Sequence, residues 1–180
     1  LILLARYGTW AYHHVRENVV PALAVAEQMR DAGSLHGDRD LSMVAYRLLG
    51  TSRTMGGRLV EARADFQRAR ELLDPTRCGV LAASTGAHPG VAIECYHAMA
   101  ELALGHPDRA RAMTDAAQAT SSAVTIVNVQ AYVLYYVGFV AGTARDAARA
   151  RVLGAELNAL SATCGLSFWG SVAPGVVALA

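Results

Sequence analysis

The chain has 180 residues, 53% of them apolar, with a formal net charge of +1, enough hydrophobic mass for one domain or a few stacked repeats and too much for a disordered tail. All 16 basic residues are arginine, and from Arg53 to Glu71 they are interleaved with Glu61 and Asp65, so no uncompensated basic stripe faces nucleic-acid phosphates. Without lysine, this segment can build neither a P-loop nor a Schiff-base nucleophile.

Frequent alanine, rare proline and little strand-like alternation predict an all-α chain. The apolar opening Leu1 to Leu4 is too short for a span or signal core, and Arg6 and Tyr7 follow at once, so it reads as the interior of a buried helix. That helix runs to about Val15. A second, from about Asn18 to Arg30 with Pro21 in its first turn, completes a first copy of a helix pair over 2–31.

The second copy, 41–75, is the clearest. Tyr46, Leu49-Gly50 and Arg53 mark its first helix, Gly56-Gly57 its turn, and Ala62, Phe66 and Ala69 its second helix. This is tetratricopeptide spacing: Gly50, Ala62 and Ala69 let helices approach closely, Tyr46 and Phe66 fill the gap, and Gly57 accepts a positive φ. Asp74 to Gly90 then forms a long connector with two proline stops, either a surface excursion or a functional loop.

The third copy, 90–120, carries Glu94, Ala98, a turn at Gly105-His106-Pro107-Asp108, and Ala110 and Ala117. The fourth, 124–162, places Tyr132, Tyr135 and Phe139 on one helix, a turn near Gly142-Thr143, and Ala148 and Ala155 on the other. A further helix starts within 166–180. The marker alanines Ala22, Ala62, Ala110 and Ala148 are spaced roughly 40, 48 and 38 residues apart, longer than the ~34 of an ordinary tetratricopeptide. Together they predict one segment of stacked antiparallel helix pairs over 1–180, read as part of a longer chain.

Ala116 to Ala144 carries no charge. Gln118, Thr120, Ser121, Ser122, Asn128 and Gln130 nonetheless leave an apolar core shorter than the ~20 residues of a bilayer span, so a buried repeat helix is expected and no membrane association. The three cysteines, Cys78, Cys95 and Cys164, are odd in number and outside any CxxC, which fits a reducing, cytoplasmic setting.

Catalytic constellations are not evident. His13 and His14 point about 100° apart on a helix and cannot chelate together. His13 has Glu17 at i+4 but no further ligand. His36, His88 and His106 flank Gly or Pro in connectors and read as exposed turn residues. Cys95 and His97 face different directions, and Ser84-Thr85-Gly86 lacks the first glycine and the strand of a nucleophile elbow. No catalytic, metal or cofactor residue is assigned.

The remaining functional surface is the concave groove lined by the first helix of each copy, presenting Tyr7, His14, Arg47, Thr51, Thr54, Cys95, Met99 and Gln130. Arg47 and His14 are the best placed to contact a carboxylate or backbone. The alternative is a small-molecule pocket lined by Tyr132, Tyr135, Tyr136 and Phe139.

The block from Tyr46-Arg47-Leu48-Leu49-Gly50 to Asp74-Pro75, the Gly90-Val91-Ala92 helix start, the Leu104-Gly105-His106-Pro107-Asp108-Arg109-Ala110 turn and Phe168-Trp169 occur in a telling order. In that order the chain, from about Leu3 to Ala180, resembles the C-terminal tetratricopeptide-like repeat region of large bacterial proteins that join a class III adenylate/guanylate cyclase domain to an AAA-type ATPase module. The resemblance implies a protein-interaction or regulatory scaffold. Its partners would be a protein, a peptide or upstream domains of the same chain, and the family's catalytic residues have no positions here. The alternative function is the small-molecule-sensing helical effector domain of an ATPase-type transcriptional regulator.

Overall fold

The computed structural model describes residues 2–179; Leu1 of the apolar opening and Ala180 lie outside the described residues. Among the described residues ten α-helices follow one another: α1 (Ile2–His14), α2 (Val19–His36), α3 (Arg39–Met55), α4 (Leu59–Leu72), α5 (Cys78–Thr85), α6 (Pro89–Ala103), α7 (Pro107–Ser122), α8 (Val127–Thr143), α9 (Ala147–Cys164) and α10 (Ser167–Ala178). The fold is all-α, with no strand among the described residues.

Four hairpins stack: α1/α2, α3/α4, α6/α7 and α8/α9. Each second helix also packs on the first helix of the next pair, and α1, α3, α6, α8 and α10 touch in series. Two layers result: the first helix of every pair, with α10, forms the inner layer, and the second helices form the outer one.

The hairpins share one register, set by backbone chemistry. Glu17, Gly57, Gly105 and Arg145 take φ of 58, 75, 84 and 63°. The next amide then reaches back across the helix end: Asn18 N–H to the His13 carbonyl, Arg58 to Arg53, His106 to Glu101 and Asp146 to Ala141, at 3.0, 2.8, 2.9 and 2.8 Å. Each bond satisfies a carbonyl that the helix end would otherwise leave free. Five residues after each turn residue stands a fully buried alanine, Ala22, Ala62, Ala110 or Ala150. The positions four and seven further on are buried too, as in Ala26 and Met29, Phe66 and Ala69, Thr114 and Ala117, and Gly154 and Leu157. This is one face of a 3.6-residue helix turned toward the inner layer.

Gly50 and Phe66 interlock as expected. A Cβ on Gly50 would lie 2.6 Å from the Phe66 ring, so only glycine admits it. Tyr46 does not share this role: it is half-buried at the core's edge.

Other expectations shift. The turn of the fourth pair is at Ala144-Arg145, not Gly142-Thr143, because Gly142 lies within α8 and makes room for Leu179, which a Cβ there would meet at 2.6 Å. Its markers are therefore Ala150 and Leu157; Ala148 and Ala155 are exposed. Helix α2 continues past Arg30 to His36 before Gly37, at φ 62°, stops it. The 74–90 connector is largely helical: Asp74 caps a 3-10 turn over Pro75–Arg77 by accepting from Thr76 N–H at 2.9 Å, α5 follows, and Gly86 at φ 72° ends it. His88 is no idle turn residue, since its Nδ1 accepts from Val91 N–H at 3.3 Å and caps α6.

The uncharged stretch is accounted for by α8, which packs against α6, α7, α9 and α10. Among the described residues, no helix is long and apolar enough to cross a membrane.

Candidate functional site, an aromatic pocket on the inner face

The inner layer curves around one pocket of about 440 Å³, within the range that small-molecule sites occupy. It draws Tyr7, Trp10 and His14 from α1, Arg47 and Met55 from α3, and Tyr96 and Met99 from α6. Tyr132, Tyr135, Tyr136 and Phe139 come from α8, and Phe168 and Trp169 from α10. Both tryptophans of the chain are on its wall.

Helical spacing explains the convergence. Tyr7, Arg47, Cys95 and Tyr135 all stand 15 residues before their marker alanine, and Ala11, Thr51, Met99 and Phe139 stand 11 before it. These two positions share a helix face. In each pair the face points inward, but neighbouring side chains decide which residue reaches the pocket.

Of the groove residues expected from sequence, Tyr7, His14, Arg47 and Met99 line the pocket. Thr51 is buried with no partner for its hydroxyl among the described residues, and Cys95 packs in the α6–α8 core. Thr54 turns its hydroxyl back to the Gly50 carbonyl at 2.8 Å. Gln130 lies in a separate cleft with Gln118 and Glu156, its amide donating to the Val124 carbonyl at 3.2 Å. The aromatic set Tyr132, Tyr135, Tyr136 and Phe139 does line the pocket. Trp10, Tyr96, Asn128 and the connector end Thr85–Ala87 were not expected at this site from sequence; Trp10, at i+3 from Tyr7 and i−4 from His14, carried the signal.

Asn128 ties three elements at the rim. Its amide donates to the Gly86 carbonyl at 2.7 Å, and its oxygen accepts from Trp169 Nε1 at 2.7 Å. The end of the connector, α8 and α10 are thereby fixed as one wall. The opposite wall is pinned by Trp10, whose Nε1–H donates to Ser52 Oγ at 3.0 Å while its ring stacks on His14 at 4.5 Å.

A polar chain crosses the pocket. His14 Nε2 is 2.9 Å from Tyr96 Oη, which is hydrogen-bonded in turn to Tyr136 Oη. Burial, and then the Arg47 charge, hold the His14 imidazole down at about 4, so near neutral pH it is uncharged and offers one acceptor nitrogen. Burial, reinforced by neighbouring phenols, raises Tyr96 and Tyr132 well above their ordinary range. The phenols are therefore donors, not phenolates.

Arginines elsewhere in the interior are matched. Arg53 pairs with Asp65 at 2.6 Å, and Arg63 forks onto Glu101 at 2.5 and 3.0 Å. Arg47, 3% exposed, has no hydrogen bond or ion pair among the described residues; its guanidinium carbon lies 5.4 Å from the Tyr7 ring and 5.9 Å from Trp10.

Elsewhere the reactive groups are quiet. His97 stacks on Phe66 at 5.4 Å, facing away from Cys95, and burial raises both Cys78 and Cys95 above the ordinary thiol range. Ser84 and Thr85 donate to helix carbonyls of Val80 and Leu81 at 2.7 Å. No group of three potential metal ligands occurs among the described residues. No family model matches the chain, and no curated protein is significantly similar to it.

Proposed function

We propose that this chain is a regulatory binding segment whose inner face seats a compact ligand, and that it is not itself catalytic. The observation that carries the reading is the aromatic pocket where α1, α3, α6, α8 and α10 meet, closed at the rim by Asn128. A site of this size, apolar with a few polar groups, suits a molecule or a single anchoring side chain. The recurring turn and marker-alanine register supports a tetratricopeptide-like array, and with the ordered connectors it supports placing the segment in a bacterial signalling protein beside cyclase and ATPase modules. A cytoplasmic setting belongs to the same proposal.

A second reading is a protein-interaction scaffold that takes an extended peptide or a sister domain. It is favoured by the exposed apolar side chains Val15 and Phe168 at the pocket's lip. The two readings separate in one experiment, because Trp10 and Trp169 report directly on the pocket. A fragment screen read by tryptophan emission and thermal shift is expected to return compact aromatic binders that perturb both signals. If only long peptides or protein domains bind, the scaffold reading replaces the sensor.

A further inference from the structure

Among the described residues, two polar groups of the pocket have no partner. Arg47 is 3% exposed and its Nε is fully shielded without a hydrogen bond. Tyr132 Oη is equally shielded and equally unpartnered. Both line the same pocket. Buried donors are almost always satisfied, and a buried guanidinium without a counter-charge is among the costliest exceptions. The faces of Tyr7 and Trp10 offset part of that cost through their quadrupoles but supply no acceptor. Glu17, the only carboxylate on the pocket's lining, is exposed at the turn and makes no ion pair with Arg47. The fold thus keeps one positive charge and one hydroxyl donor in reserve inside an aromatic cavity.

Resting on the pocket reading above, we infer that the ligand is a small aromatic carboxylate. Its carboxylate would accept from the guanidinium fork of Arg47 and, as the shielded phenol shifts toward the cavity on binding, from Tyr132 Oη. Its ring would lie among Tyr7, Trp10, Tyr135, Phe139 and Trp169. A planar two-oxygen anion matches the fork bidentately. One guanidinium balances one negative charge, so a phosphate dianion would enter with half its charge unmatched, next to an uncharged His14. The aromatic walls offer edges and faces to a flat ring rather than a channel for a flexible chain. At about 440 Å³ the cavity has room for one or two fused rings with a short acid arm.

The test is calorimetric titration of the full chain with indole-3-acetate, phenylacetate and 1-naphthoate, each against its neutral amide, with tryptophan emission recorded in parallel. The acids are expected to bind and alter tryptophan emission, and each amide to bind at least about tenfold more weakly. Arg47→Gln is expected to abolish that preference while leaving amide binding in place. Tyr132→Phe removes only an unpartnered hydroxyl, so it folds as the parent does and is expected to weaken acid binding about fivefold. Equal affinity for acids and amides, or an unchanged preference in Arg47→Gln, overturns the carboxylate assignment while the pocket reading stands. Absence of binding by all three acids at ~10 mM overturns the assignment as well. A pentapeptide ending in tryptophan is the last arm: if its free-acid form binds more tightly than the three small acids, the ligand is a chain terminus and the small-molecule assignment fails.

Discussion

The α4–α6 seam and the inner-face pocket each bury a charged side chain, a carboxylate in one and a guanidinium in the other, and treat it in opposite ways. At the seam, Glu101 is 2% exposed and receives the Arg63 fork, with His97 at 3.4 Å and Arg109 at 3.7 Å. At the pocket, Arg47 is as deeply buried and has only aromatic faces for company. A fold that pairs its charges where helices close on each other, and omits the partner where they leave a cavity, separates cohesion from recognition. The difference marks Arg47 as a group held for something outside the chain.

Four measurements put this contrast at risk. Glu101→Ala removes the bidentate partner of Arg63, whose side chain is 26% exposed, and is expected to cost about 2–3 kcal/mol in denaturant unfolding; a cost near zero would make the seam as dispensable as a surface pair. Gly50→Ala drives a methyl into the Phe66 ring and is expected to cost about 2 kcal/mol, with no change in the pocket's tryptophan emission.

Acid should loosen both regions. Burial and the Arg70 charge, against the opposing pull of Glu101, lower His97 to about 4, and burial with Arg47 does the same for His14. A base whose folded pKa is depressed contributes stability that is whole above the unfolded value near 6.5 and drains as pH falls through the folded one. Stability is therefore expected to drop by about 2 kcal/mol between pH 6.5 and 4. Asp65 works the other way: burial raises it to about 6 against the Arg53 charge, so its protonation regains some stability over the same interval. Urea midpoints across that range check the sum, and His97→Phe, which keeps a ring on Phe66, should flatten the slope.

The smallest effect has the opposite sign. Arg47→Met replaces an unpaired buried charge by an apolar chain of similar length and is expected to stabilise the unliganded protein by about 1 kcal/mol. Destabilisation there would show that Arg47 serves the fold.

Much of the array was legible because its cues are local. Gly57 and Gly105 announce turns, and Ala62, Phe66 and Ala69 announce the face that follows. The fourth pair misled because its turn uses Arg145 at φ 63° while glycine, the usual turn residue, stands at Gly142 for a different reason, close approach to Leu179. The frame there slipped by two residues, which hid that Tyr135 and Phe139 are level with Arg47 and Thr51. Helix α5 was masked by its flanking prolines and the lack of an amphipathic stripe over only eight residues. Of the site, Tyr7, His14, Arg47 and Met99 followed from the helix period, whereas Asn128 bridging Gly86 and Trp169 joins residues 42 and 41 positions away.

The helices, the hairpin turns and the small residues that let helices touch are written in the sequence, because each depends on neighbours within a turn or two of the chain. The inward face on which Arg47 stands is written there too. It took the packed fold to show that this arginine meets no carboxylate among the described residues, that Thr51 and Cys95 lie below the surface their spacing offered, and that two tryptophans far apart in the chain share one wall. Those outcomes turn on how separate helix pairs stack, and a missing partner can be recognised only after every other residue has been placed.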